Sequence, residues 1–465
     1  MDFINLLCLS NNYNTLATLL RTSTTYDFAL RKIRLLKVIF LVMFCSQISV
    51  SQSTDTLRRE LTIDLELRPR AEYRDNFTWT PADSVMPKLY VTQRNRLSIT
   101  YRTNRLRLHA SPQEIHVWGE TGRFSRVGSV NFFEAYAEPA ITKYLSVRVG
   151  RQAISLDNGR IFSAAPWGQQ SRAHEGVRIL FKKKLETDLT FAFTRPYSKH
   201  FEAAYSPVSA HNYKYLVVHH LKTRLSNRMT LTTINSIDIF RRPADETYYQ
   251  RITNGGRLEY NQNGLYGTVN AYYQYGKNAG REKIRAYYIQ PEVSANTGRT
   301  LIRLGAEILS GDKNTASKEL SSSFVPLYGV AWKFMGNMNL FTRFPADVQE
   351  KGLVNPYLFI IHQAGKRLSL RADAHLFYSQ YPLLREGREI DGKYLGFESD
   401  LSLNYKPVKA LEIIYGFSFT AANKRMELLG KVEDSGKIPV WSYLMISFAP
   451  RLLNVRKTRI RERLN

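Results

Sequence analysis

The stretch LTIDLELRPRAEYR, residues 61–74, decides the fold. Every second residue is apolar: Leu61, Ile63, Leu65, Leu67, then Ala71 and Tyr73. Thr62, Asp64, Glu66, Arg68, Arg70, Glu72 and Arg74 alternate with them. In a strand, successive side chains point to opposite faces, so this period of two describes a ribbon with one greasy and one ionic side. The same alternation recurs in VTQRNRLSITYR (91–102), RLRLHA (105–110), LSVRVG (145–150), KRLSLRADAHLF (366–377) and FESDLSLNY (397–405). Tight connections separate such runs at RTNR (102–105) and at NQNG (261–264), where Asn-Gly supplies positive φ at little cost. Pro112 and a change of phase between Leu108 and Ile115 predict a bulge or kink. The polar stretches 310–323 and 343–352 read as exposed loops, and no amphipathic helix stands out.

Ahead of this pattern lies a leader. Arg31, Lys32, Arg34 and Lys37 precede the apolar run Val38–Cys45, and Ser49 and Ser51 are placed as the small residues before a cleavage site. That layout is secretory, and its apolar part is too short for a membrane anchor. The expected organisation is an N-terminal extension and signal peptide over 1–51, a barrel over 52–450 and a basic tail over 451–465, the tail disordered or weakly helical. Both cysteines, Cys8 and Cys45, fall in the leader, so disulfides do not hold the mature chain together. The formal net charge of the whole chain is +26. An exported and basic chain points to anionic partners, namely outer-membrane lipid head groups, lipopolysaccharide or an acidic glycan, and away from nucleic acid.

Mean hydropathy is −0.33, and no run of about 18 apolar residues exists, which excludes a helical membrane protein. A spanning strand takes roughly 9–11 residues, so the mature length accommodates about 16–18 antiparallel strands, with 18 favoured. The fold expected is all-β: a single transmembrane antiparallel barrel with short periplasmic turns and long extracellular loops. An arginine facing hydrocarbon at the bilayer midplane costs roughly 2–4 kcal/mol, so the charged stripe must face inward. The pairs Phe132–Phe133, Tyr272–Tyr273 and Tyr287–Tyr288 then put one ring on each face. The last strand is WSYLMISF (441–448), whose aromatic end resembles the signal read by the outer-membrane assembly machinery.

Several segments resemble the alginate export family of outer-membrane barrels. They are RNRLSITYRTNRLRLHASPQEIHVWGE (94–120), FFEAYAEPAITKYLSVRVGRQAISLDNGRIF (132–162), PWGQQSRAHEGVRI (166–179), LGAEILSGDK (304–313), SSFVPLYGVAWKFMGNMNLF (322–341) and YLGFESDLSLNY (394–405). The resemblance implies a monomeric barrel in the outer membrane with a positively charged constriction that passes a polyanionic polysaccharide outward.

The planar guanidinium fork suits carboxylate recognition. Arg94, Arg96, Arg102, Arg105, Arg107 and Arg148 form the expected lumen ladder, with Arg371 on a later strand. Arg151, Arg160 and Arg172 lie in the family-like region, and Glu134, Glu138, Asp157 and Asp400 temper the field or hold the arginines in place. Mutual pairing that merely braces the wall is the competing role for each of these arginines. His174–Glu175 and His219–His220 lack metal-ligand spacing, and the chain has no Gly-x-Ser-x-Gly elbow and no Walker or Rossmann fingerprint. No enzymatic activity, cofactor or metal is expected. A porin-like anion channel is the leading reading. A structural or adhesive barrel, or a hydrolase with a site assembled across strands, are the alternatives.

Overall fold

The computed structural model describes residues 57–76, 89–119, 130–194, 213–242, 247–313 and 319–459. The leader expected over 1–51 lies outside them. The alternating segments become the strands of one closed antiparallel barrel of 18 strands. In chain order these are β1 (Leu57–Asp75), β2 (Leu89–Thr103), β3 (Leu106–Val117), β4 (Asn131–Pro139), β5 (Leu145–Gln152) and β6 (His174–Lys182). Next come β7 (Leu185–Phe193), β8 (Tyr215–Arg224), β9 (Met229–Arg241), β10 (Tyr248–Gln262), β11 (Leu265–Lys277) and β12 (Lys283–Asn296). The last six are β13 (Thr300–Leu309), β14 (Leu353–Gln363), β15 (Leu368–Ser379), β16 (Tyr394–Val408), β17 (Leu411–Ala422) and β18 (Val440–Phe448).

Closure is made by β1, which pairs with β2 on one side and β18 on the other, for example Ala71 with Leu444. Closure removes every sheet edge, the condition for strands to cross lipid. Arg451–Arg459 also forms a strand, paired with the start of β1. The expectation of a disordered or weakly helical tail is corrected for these residues: Leu453 and Val455 flank the polar Asn454 and fall opposite Ile63 and Leu61, so the dyad pattern continues.

Asn263 and Gly264 adopt positive φ (50° and 82°) between β10 and β11, as the Asn-Gly turn requires. The bulge expected near Pro112 is present, as a register shift between Ser111 and Pro112 against β4. The apolar stripe faces outward: Phe132 is 49% exposed against 8% for Phe133, and Tyr273 47% against 4% for Tyr272. Leu304, Ile360, Leu370, Leu401 and Leu444 are likewise exposed on the outer wall.

The interior is not empty. The segment between β5 and β6 and the long segment between β13 and β14 fold into the barrel. They bury Ile154, Leu156, Ile161 and Phe162 against Phe324, Tyr328, Phe334, Met335, Met338 and Phe341. The two segments bond to each other: Tyr328 N donates to Ile161 O (2.9 Å) and Val330 N to Gly159 O (3.1 Å). The expectation that 343–352 is an exposed loop is therefore corrected. Phe344, Val348 and Lys351 are buried, because the apolar residues from Phe324 onward draw the whole segment into the lumen.

Candidate functional site: the inner wall of the barrel

Strand pairing carries the inward residues of β1–β6 into rows. One row, next to the short-turn mouth, runs through Arg456, Glu60, Arg102, Arg107 and Glu138 to Arg148 and Arg178. Glu138 accepts from Arg148 Nε (2.8 Å), and Arg178 pairs with Asp188 (2.7 Å). Arg148 and Arg107 also stack over Tyr136, at 4.3 and 5.6 Å from its ring centre. Arg102 is exposed and has no hydrogen-bond or ion-pair partner among the described residues. Five guanidiniums against three carboxylates, Glu60, Glu138 and the Asp188 held by Arg178, leave a cationic surplus at Arg102 and Arg107.

Farther from the short turns, the arginines are wrapped by protein. Arg94 holds Glu66 with Nη2 (2.7 and 2.8 Å) and donates from Nη1 to Gly168 O (3.0 Å). Arg68 donates to Pro166 O (2.8 Å) and Gly168 O (2.6 Å). Arg96 reaches Gln113 (2.6 Å) and Ser171 Oγ (2.7 Å) while lying over Phe133 (4.1 Å). Glu72 gathers Arg70 (2.8 Å), Arg74 (2.5 Å) and the indole N–H of Trp441 (3.1 Å), and Arg70 stacks on Trp167 at 4.5 Å. These contacts pin the segment 166–171 to the wall.

The remaining expected residues divide by role. Arg160 is buried, with Nε donating to Glu307 (2.7 Å) and Nη1 to Val330 O (3.0 Å), so it locks the two inward segments to β13. Arg172 donates to Tyr328 O and to Gly329 O (2.8 Å). Asp157 bonds His220 Nε2 at 2.9 Å, and Glu134 accepts from Ala153 N (2.9 Å). Arg371 takes both oxygens of Asp373 (2.9 and 2.7 Å), and Asp400 accepts from Asn337 N (3.0 Å). Two expectations are corrected. Arg151 pairs in register with Ala135 and Glu175 on the outer face, because it lies an odd step along the strand from the inward Arg148 and an odd step reverses the side. Arg105 is an exposed residue of the turn between β2 and β3 and lines no wall.

Some inward residues were not singled out from sequence as site residues. Arg68, Arg70 and Glu72 were visible in the alternation of β1, yet nothing local shows that they meet Trp167 or Pro166, some 100 positions away. Lys333 is another. It lies on the inward segment before β14, donates to Asn158 O (2.8 Å), and faces Arg303, Arg257 and Arg371. Burial, reinforced by those cations, holds its ammonium below the usual lysine range.

Among the described residues, Asp373, His375 and Asp400 form a group that could hold a metal ion, their ligand atoms lying within 4.8 Å of one another. Arg371 already occupies Asp373, and a loop amide occupies Asp400. The neighbouring Glu398 accepts from Met338 N (2.8 Å). Gly336 makes that docking feasible: a Cβ there would lie 2.2 Å from a Glu398 oxygen. In the arrangement described, these carboxylates hold the inward segment.

An antiparallel barrel with an apolar outer belt and an ionic inner wall defines an outer-membrane channel protein. Residues 59–419 match the alginate export family, and the chain belongs to it. No curated protein matches the chain. Among solved structures it is similar to three Pseudomonas aeruginosa proteins. OpdL has 11% identity, a TM-score of 0.57, and coverage of 84% of this chain and 99% of that one. For the outer membrane protein OpdK the values are 12%, 0.56, 84% and 99%. For OpdO they are 13%, 0.56, 84% and 98%. At such identity the likeness is one of fold.

Proposed function

We propose that this channel conducts anionic solutes and that an acidic polysaccharide of alginate type is the polymeric form of its substrate. The observation that carries this reading is the row Arg102, Arg107, Arg148 and Arg178, with Arg456 beside it, on the inner wall. Its guanidiniums outnumber its carboxylates, and Arg102 presents an unoccupied fork. A carboxylate exchanging from one such fork to the next along a wall meets favourable but shallow sites, the condition for conduction. Arg94, Arg96, Arg160, Arg172 and Arg371 brace the constriction. The wall holds its arginines with acids and aromatic rings, an arrangement that serves transport rather than bond chemistry.

The test is reversal potential in planar bilayers under a salt gradient. The native protein is expected to select anions. The pair Arg102→Ser and Arg107→Ser is expected to move the potential toward zero. Oligomers of uronic acid are expected to block current, whereas neutral oligosaccharides of equal length are not. Cation selectivity, or indifference to the double substitution, sinks the proposal. One observation favours a second reading, a closed structural barrel: the packed interior formed by 153–173 and 319–352. Absence of conductance from correctly folded protein would select it.

A further inference from the structure

Among the described residues the apolar outer belt is broken by polar groups that satisfy one another, as Asn95 does with Glu114, and, on β8–β10, by polar groups that do not. On β9 the outward residues are Met229, Leu231, Thr233, Asn235, Ile237 and Ile239. Register sets Asn235 between His219 of β8 and Asn254 of β10, with Thr233 beside Gly256. On each strand the polar residue is bracketed by apolar outward neighbours: Val217 and Leu221 around His219, Ile252 and Leu258 around Asn254. From Met229 to Ile239 the chain climbs roughly 25 Å at the usual strand rise and tilt, about the height of a hydrocarbon belt. The island therefore lies near mid-belt, away from both aqueous rims.

Its hydrogen bonds are incomplete. Asn254 Nδ2 donates to Asn235 Oδ1 (2.7 Å). That leaves Asn235 Nδ2 as a donor and Asn254 Oδ1 as an acceptor with no partner among the described residues. Thr187 Oγ1 donates to His220 O (2.9 Å), so the 3.0 Å contact with His219 Nε2 must be received from the ring. His219 Nδ1 is then an acceptor, also open. Lipid tails satisfy none of these groups. The opposite wall shows the contrast. Outward positions on β14–β17 are Leu358, Ile360, Ala372, Leu401, Leu403 and Phe417, and the one polar exception nearby, Ser399, donates inward to Asp373 O (3.2 Å).

We infer that the β8–β10 face is a self-association surface at which a second copy of this chain packs across a two-fold axis. An isologous interface brings each patch against itself. The unpaired Asn235 amide donor then meets the unpaired Asn254 carbonyl of the second copy, and the reciprocal bond forms at the same time. Self-complementary amides select another copy over an acyl chain. Gly256 and Thr233 keep the contact low, which lets two walls approach closely. Next to the island the surface is concave, a groove of about 490 Å³ lined by Leu258, Tyr260, Gly267, Val269, Pro291 and Leu304, where bulk from the second copy can enter. This departs from the monomer implied by the family resemblance.

The test uses full-length protein in native outer membranes, with Cys8 and Cys45 changed to Ser so that any introduced thiol is unique. Thr233→Cys, which leaves both amides in place, is expected to give a disulfide-linked band of twice the mass on mild oxidation, several-fold more than Leu401→Cys on the opposite wall. The triple variant His219→Leu, Asn235→Leu, Asn254→Leu is expected to run as a monomer in mild detergent while keeping its heat-dependent gel shift and its conductance. Equal cross-linking at positions 233 and 401 overturns the inference. A monomeric native mass in mild detergent, with or without retained lipid, overturns it as well.

Discussion

Arg102, on the wall, and Arg160, on an inward segment, are the same residue type inside one barrel, and they are held in opposite ways. Arg160 is 2% exposed, saturated by Glu307, Val330 O and the Met335 sulfur. Arg102 is exposed beside Arg107, with a carboxylate, Glu60, only as its register neighbour. Arg68 and Arg94 belong with Arg160, while Arg148 and Arg178 stand between the two extremes. The difference shows how one barrel uses guanidinium both as mortar and as contact surface. Buried forks order the segments that fill the lumen, and half-open forks remain exposed on the inner wall.

The largest expected effect comes from removing mortar. Arg160→Met leaves Glu307 buried without its cation, a change on the order of 3–5 kcal/mol. The temperature at which the boiled and unboiled gel bands merge should fall, and protease should cut within 153–173. If the inward segments then leave the lumen, conductance rises. An unchanged melting shift would remove Arg160 from the clamp. Next in size is Gly336→Ala. A Cβ 2.2 Å from a Glu398 oxygen must displace the loop amides that Asp400 and Glu398 accept. Two such buried hydrogen bonds are worth roughly 0.5–1.5 kcal/mol each. Larger single-channel current with an intact barrel is the expected readout, and a wild-type current would contradict the docking role.

The barrel was legible because its signal is local. Alternation in 61–74, 91–102 and 366–377 depends on nothing beyond neighbouring residues, and the Asn-Gly turn at 263–264 names its own geometry. The segment 343–352 misled for a related reason. Pro345, Asp347, Gln349 and Lys351 have the composition of a surface loop, and what buries Asp347 and Lys351 is the tertiary pull of the apolar stretch Phe324–Phe341 that precedes them. Arg151 faces outward through parity rather than chemistry: its motif is family-like, but an odd step from the inward Arg148 reverses the side. Arg94 and Arg107 looked alike in sequence. Only the register and the path of 166–171 separate a clamp from an open site.

A smaller and cleaner effect is expected at the open end of the comparison. Arg102→Ser with Arg107→Ser should change stability by no more than about 0.5 kcal/mol, since neither residue has an ion pair to lose. The same variant should lose anion preference, and most visibly at low salt, because exposed charges are screened beyond roughly 10 Å at 0.1 M. Equal loss at low and high salt would indicate a structural change instead of a lost field.

The smallest effect concerns Lys333, which belongs to neither set. It projects from the inward segment toward Arg303, Arg257 and Arg371, and burial together with those cations lowers the pH at which it gives up its proton. The sign follows directly. A lysine with a depressed folded-state value is charged at low pH and neutral sooner than an ordinary lysine as pH rises, while the arginines around it stay charged throughout. Anion selectivity should therefore decline modestly on the alkaline side, ahead of the normal lysine range. Lys333→Met should be less selective at neutral pH and flat across that interval. A decline that survives Lys333→Met would assign the titration to another group and leave the arginine row as the sole source of the field.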